Sequence, residues 1–213
     1  WVSAEFVETI LEHGHHFTIL VSEWDAGREF LSKYKKASGR KPVLDRKQVY
    51  SVIDSDSLVR KGIKEIDMEQ ASLDSIDELT ELACSMVTED LKLKAGSIDR
   101  RHYRLRMTEK VMEGRSYLCR DADTRAIFKC DMAAMGPEGG LLEGVYTPND
   151  LRKQGIATRA LWTLSRDLLS RDVVPFIALH VDEKNKAARR AYEKVGFQDV
   201  GLYRLAMFPP VHV

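Results

Sequence analysis

The chain carries no surplus of charge: 33 Lys and Arg balance 33 Asp and Glu. No net field is available to hold a polyanion, so general binding to nucleic acid or to an acidic membrane has no footprint in the totals, although a local basic patch stays open. Cysteine is scarce. Cys84, Cys119 and Cys130 are odd in number and lack metal-ligand spacing, which argues against a disulfide scaffold or a metal site and for a reduced, cytoplasmic protein. No apolar run approaches the roughly 20 residues that span a bilayer, and no charged region followed by an apolar core and cleavage site opens the sequence, so no membrane association is expected. Trp1 stands where methionine would, which fits a processed or shortened chain.

What is present is globular composition, with 44% hydrophobic and 31% charged residues in 213. That length holds one large domain, or an ordinary domain plus a smaller piece, with enough chain for a self-sufficient core. Residues 1–60 read as strand (an apolar run at Phe17–Val21), helix (Trp24 to Lys36) and strand (Gln48–Ile53), followed by a turn or linker at Asp54–Ser57. A domain boundary is expected near residue 60. Beyond it the pattern predicts a short strand at Ile63–Asp67, then a helix whose apolar positions Ile76, Leu79, Ala83, Met86 and Val87 keep helical spacing, capped by Asp74 or Ser75. A second helix over Arg100–Glu113 places Tyr103, Met107 and Val111 on one face and a basic side elsewhere. Three strands, Ser116–Arg120, Ala126–Met135 and Leu141–Thr147, form an antiparallel meander. A helix at 153–171, a strand at Phe176–Val181, a helix at Asn185–Val195 and two short strands near Phe197–Val200 and Tyr203–Phe208 complete a mixed α/β fold.

The stretch Thr147-Pro148-Asn149-Asp150-Leu151-Arg152-Lys153-Gln154-Gly155-Ile156-Ala157-Thr158 begins as a turn and ends as a helix. A helix N-terminus carries about four unpaired N–H groups and a partial positive charge, which makes it an anion site if the backbone can approach. Gly155 permits that approach, and Arg152 and Lys153 add mobile charge, which suits a pyrophosphate. The alternative is that Gly155 eases a tight turn while Arg152 and Lys153 are solvated. Context decides: a strand lies upstream, a long amphipathic helix downstream, and then comes strand, Asn185, and a helix carrying Ala188, Tyr192 and Gly196-Phe197.

On those two blocks the chain resembles the GCN5-related N-acetyltransferase (GNAT) superfamily over roughly residues 62–208, with Arg152-x-x-Gly155-x-Ala157 as its acyl-CoA motif. It looks most like the actinobacterial-type members that carry a domain of unknown function ahead of the acetyltransferase, of which residues 1–60 would be the tail. The resemblance implies a mixed, mostly antiparallel central sheet flanked by helices, preceded here by a small partial β-α-β segment. It implies acetyl-CoA as cosubstrate, with the pantetheine arm adding to Val145, Tyr146 and Thr147 like a missing strand. Arg152, Lys153, Gln154, Gly155, Ile156, Ala157 and Thr158 would hold the pyrophosphate, and Asn185 the CoA arm.

Direct acetyl transfer to a primary amine needs a proton acceptor, an oxyanion donor and a proton for the departing thiolate. Tyr192 is the candidate acid, or else a core tyrosine. Gly144 inside a strand marks a bulge or close approach, or a packing need, and a backbone N–H near Val145 is the candidate oxyanion donor. Glu143 is the candidate base, or else a solvent-facing residue. His180, in an apolar strand, is read as structural before catalytic, and Asp131 is a similar minor candidate. His13, His15 and His16 lack a neighbouring carboxylate constellation, so no metal is assigned. No cysteine is placed as nucleophile. The competing class is a non-catalytic CoA-binding sensor or scaffold. The acceptor is a small-molecule or protein amine, chosen by segments 74–115 and 197–208. The tail Leu205–Val211 either pairs two protomers as a homodimer or covers the core.

Overall fold

In a computed structural model of the chain, residues 9, 10, 12, 17–94 and 96–209 are described. His13, His15, His16, Pro210 and Val211 lie outside them. The elements run β1 (Ile19–Glu23), α1 (Trp24–Ser38), β2 (Leu44–Asp54), β3 (Glu69–Gln70), α2 (Ile76–Leu91), α3 (Arg100–Met112), β4 (Ser116–Arg120), β5 (Ala126–Gly136), β6 (Gly139–Tyr146), α4 (Ile156–Ser170), β7 (Phe176–Asp182), α5 (Lys186–Val195) and β8 (Gln198–Met207). This is a mixed α/β fold with a mostly antiparallel sheet flanked by helices. Two compact units divide the chain: one comprises Val52–Leu179 and Ala187–Gln198, the other the described parts of Trp1–Ser51, His180–Lys186 and Asp199–Val213.

In the larger unit β3, β4, β5 and β6 form an antiparallel succession, and β6 then pairs in parallel with the first half of β7, Gly140–Leu142 against Ile177–Leu179. One face of the sheet is covered by α2 and α3. Their stripes meet Leu118 of β4 in a cluster of Ala71, Ile76, Leu79, Ala83, Met107 and Val111, with Tyr103 packed against it, as the helical spacing predicts. Helix α4 buries Ile156, Ala160, Leu161, Leu164, Leu168 and Leu169. Their recurrence every three or four residues makes a stripe wide enough to cover a sheet face.

In the smaller unit β1 pairs with β8, Ile19 opposite Met207 through Glu23 opposite Tyr203. Helix α1 starts where the Glu23 carboxylate accepts from the N–H groups of Asp25 and Ala26, both at 2.9 Å. It closes on Phe30, Leu31 and Tyr34, which pack with Ala206 and Phe208.

Three local expectations are corrected. Ile63–Asp67 forms no strand, and the strand there is only Glu69–Gln70. Backbone groups of the 63–67 segment are satisfied by α4 side chains: Ile66 N–H donates to Thr163 Oγ1 (3.3 Å), while Arg159 donates to the carbonyls of Lys64 (3.2 Å) and Glu65 (2.8 Å). Ser75 precedes α2 without a side-chain cap bond, because Leu73–Ser75 already turns as 3₁₀ helix and the Ser75 hydroxyl accepts from Arg120 at 3.2 Å. The two short strands expected near the C-terminus are one, β8, because Gly201 is extended rather than turned.

Candidate functional site

The β5–β6 ladder slips twice. Lys129 faces Tyr146 and Asp131 faces Glu143, so Cys130 alone stands opposite both Gly144 and Val145: β6 has a bulge where the glycine lies in the strand. Further along, Met132 faces Leu142 and Ala134 faces Leu141, so Ala133 is the extra residue on β5 and the two slips cancel. Gly144 has φ of 61°, a region open to glycine, and a Cβ there would stand 2.4 Å from Asp131 Oδ2 and 2.9 Å from Lys129 Nζ. Conformation and close approach thus both require glycine. Beside the bulge, the parallel ladder to β7 ends at Leu142 opposite Leu179.

Past Tyr146 the chain turns through Asn149–Leu151 into α4. The hub of this turn is Glu89 near the end of α2. Its Oε1 accepts from the Tyr146 hydroxyl at 2.6 Å and from Asn149 Nδ2 at 2.9 Å, and its Oε2 from Arg152 Nη2 at 2.6 Å. Arg152 also donates from Nε to the Thr147 carbonyl (2.9 Å) and lies with Cζ 5.4 Å from the Tyr146 ring centre. Burial would raise the Glu89 carboxyl, but the Tyr146 hydroxyl and the Arg152 guanidinium outweigh it and hold it below the usual range. Burial, with Glu89 as acceptor, pushes the Tyr146 phenol up to about 12.

Gly155 precedes α4 in the left-handed region with φ of 78°, and Lys153 is left-handed as well, at 64°. These two residues delay the helix to Ile156, three residues after the start expected from the pattern. Nothing lies within 4 Å of a Cβ built on Gly155, so the space in front of the helix start is open. The first intrahelical bond is Arg159 N–H to Gly155 O at 3.1 Å, which leaves the N–H groups of Ile156, Ala157 and Thr158 ahead of it without intrahelical acceptors. Thr147 Oγ1 is buried and has no hydrogen-bond partner. Val145, Tyr146 and Thr147 thus follow Gly144 at the strand bulge, and Arg152, Lys153, Gln154, Gly155, Ile156, Ala157 and Thr158 lead from the turn into the first turn of α4.

Tyr192, on α5, is buried with its ring edge-on to Phe197 at 5.6 Å between centres. Burial and then the neighbouring Cys130, the residue opposite the bulge, push its phenol well above the usual range. Asn185 lies in the smaller unit, where its N–H donates to Asp182 O at 2.8 Å and shapes the turn after β7. His180, also in the smaller unit, lies tilted against Tyr50 and edge-on to Tyr203, at 4.8 and 4.7 Å between centres, and its Nδ1 is buried without a partner. Burial holds its imidazole below the ordinary value.

Sequence reasoning weighed Asp131 only as a minor catalytic candidate and passed over its buried partner Lys129. Lys129 is fully buried, and its Nζ donates to Asp131 Oδ2 at 2.7 Å and to Gly144 O at 3.0 Å. Ser116 donates to Asp131 Oδ1 at 2.7 Å. Lys110 on α3 reaches Asp131 Oδ2 at 3.4 Å and pairs with Glu143 Oε1. Burial would raise the Asp131 carboxyl, but Lys129 and Lys110 overcome it and hold it low. The legible signal was Lys129 and Asp131 two apart in an apolar strand, which puts opposite charges on one face.

Residues 118–197, from β4 through the bulge and the α4 start to Phe197, match the family described as Acetyltransferase (GNAT) family. None of the curated proteins matches the sequence significantly. Among solved structures, the chain is similar to an acetyltransferase from the GNAT family from Colwellia psychrerythraea, at 12% identity and TM-score 0.65, over 97% of this chain and 72% of that one. A GCN5-related N-acetyltransferase from Sphaerobacter thermophilus aligns at 17% identity and TM-score 0.61, over 92% of this chain and 62% of that one. A predicted acetyltransferase with acetyl-CoA from Clostridium acetobutylicum aligns at 19% and 0.50, over 63% of this chain and 90% of that one. The chain has the fold of these acetyltransferases. Among the described residues no cluster of three His, Cys, Asp or Glu could hold a metal ion, and no helix is long and apolar enough to cross a membrane.

Proposed function

We propose that this chain is an acetyl-CoA-dependent N-acetyltransferase of the GNAT superfamily that passes an acetyl group directly to a primary amine. The observation that carries the reading is the Gly144–Val145 bulge where the ladder to β7 stops, continuous with the open left-handed Gly155 at the start of α4. A strand edge and a helix start joined in this way suit one ligand with amides at one end and a pyrophosphate at the other. The buried, unpartnered Thr147 hydroxyl lies between the two, where a polar ligand group would satisfy it.

The bound thioester would supply an electrophilic carbonyl. Val145 N–H would donate to the charge that develops on its oxygen as the amine nitrogen bonds to carbon. Glu143, whose second carboxylate oxygen is left by the Lys110 pair, would take the amine proton directly or through water. Tyr192, held protonated by its burial, would give its proton to the sulfur as the carbon–sulfur bond breaks. Lys153, Gln154, Gly155, Ile156, Ala157 and Thr158 would bind the pyrophosphate with backbone N–H groups, and Arg152 would turn from Glu89 toward it. The acceptor is a small-molecule or protein amine. Residues 1–60 we assign to the tail of a leading domain, as in the actinobacterial-type relatives, and a homodimer through the C-terminal strands is the assembly to examine.

Calorimetric titration with acetyl-CoA and CoA tests the reading on the wild type and on Gly155→Glu, which sets a carboxylate where the pyrophosphate would lie. Binding by the wild type that is lost in the variant is the expected result. No binding by a folded wild type sinks it. Binding without turnover toward any amine leaves the sensor or scaffold in its place.

A further inference from the structure

Buried charge needs a reason. A fully buried ammonium and carboxylate cost several kcal/mol each to desolvate, and well-packed apolar residues often serve stability equally well. Lys129 and Asp131 sit inside the larger unit under α3, with Ser116 and Lys110 completing the partners of the carboxylate. The part of this network that an apolar pair cannot replace is the bond from Lys129 Nζ to the Gly144 carbonyl.

That carbonyl belongs to the peptide joining Gly144 to Val145, and no peptide bond in the described chain is cis. In a planar trans peptide the C=O and the N–H point in opposite directions. Holding the Gly144 oxygen toward Lys129 therefore turns the Val145 N–H to the opposite side of the strand. A bulge lacks the ladder bonds that would otherwise fix this plane, and glycine imposes little torsional restraint of its own. At the other bulge in the same ladder a cation again meets backbone carbonyls: Arg115 donates to those of Met132, at 3.3 Å, and Ala133.

We propose that Lys129 is a positioning residue for acyl transfer: through the Gly144 carbonyl it locks the Gly144–Val145 peptide so that the Val145 N–H faces the acyl oxygen. Asp131 serves this arrangement by neutralising and orienting the ammonium, and Ser116 and Lys110 hold Asp131. The inference rests on the acetyltransferase reading above, and extends it to residues that touch neither substrate.

The sequence contains one Gly-Val dipeptide, at 144–145. Protein labelled with ¹³C at glycine carbonyls and ¹⁵N at valine therefore yields a single carbonyl–amide correlation, from this peptide alone. It is recorded with and without acetyl-CoA for the wild type, for Lys129→Met, and for Lys129→Met/Asp131→Asn, which leaves no buried charge uncompensated if the single variant fails to fold. The expected result is one sharp peak in the wild type whose amide proton moves downfield with acetyl-CoA. In the folded variant the peak shifts or broadens in the free protein and no longer responds to acetyl-CoA, although calorimetry shows that acetyl-CoA still binds. A variant peak that keeps its wild-type position and response overturns the proposal while leaving the acetyltransferase reading intact. Acetyl-CoA that binds the wild type without moving the peak overturns it too. Failure of the wild type to bind acetyl-CoA removes the underlying reading, and the inference with it.

Discussion

A methyl group on Gly144 would stand 2.4 Å from Asp131 Oδ2, whereas one on Gly155 would meet nothing within 4 Å. Both glycines are left-handed, at 61° and 78°, so they share the conformational demand and differ in the space around them. Gly144→Ala should cost about 1–3 kcal/mol from backbone strain, with further loss from displacing the carboxylate. Gly155→Asn should cost less than about 1 kcal/mol, since asparagine tolerates this region. Urea unfolding of the two variants checks the order, and equal costs would count against the bulge geometry.

Tyr192→Phe removes one hydroxyl from a buried ring that keeps its contact with Phe197. Turnover should fall by about 10²–10⁴-fold, the usual worth of general acid catalysis. The Kd for acetyl-CoA should change little, since the proposed cradle lies on β6 and α4. Unchanged turnover would return Tyr192 to a packing role.

Glu89→Gln removes the charge that Tyr146 and Arg152 share. The Tyr146 phenol should fall from about 12 toward its ordinary value, read by NMR titration of labelled tyrosine. The wild-type Glu89 carboxyl is held low in the fold. It therefore adds stability that is present above its unfolded pKa of about 4.3 and lost as pH falls through the folded value. The variant should lack that acid-side loss.

His180 has its imidazole lowered by burial between Tyr50 and Tyr203. A lowered value means that the unfolded chain binds the proton more readily. Stability from this residue is thus complete above the unfolded value of about 6.5 and declines as pH falls below it. His180→Phe keeps the ring contacts and should flatten the slope of unfolding free energy between about pH 6.5 and 5. An unaltered slope would show that the imidazole is not buried in solution.

The elements most legible in the sequence were those whose apolar spacing has one consistent solution. Met107 and Val111 on α3, and Ile76, Leu79 and Ala83 on α2, were grouped by their helical spacing and are buried. Gly144 announced a bulge because glycine inside a strand is otherwise a loss, and the register slips there. The 63–67 segment misled because its local pattern reads as a strand, whereas its backbone bonds to side chains of α4. Its partners are Thr163 and Arg159, about 95 residues later in sequence, and no local pattern records them.

The sequence alone determined the mixed α/β order, the glycine-led start of α4 and the Asn-to-Tyr helix, because spacing, turn chemistry and a short motif are local properties. Only the tertiary structure decided that Lys129 meets the Gly144 carbonyl, that Lys110 joins Asp131 to Glu143, and that Glu89 gathers Tyr146, Asn149 and Arg152. These bonds depend on two compensating bulges and on two helices laid over one face of the sheet. A slip of one residue in β5 would turn Lys129 and Asp131 to the opposite face and undo the arrangement.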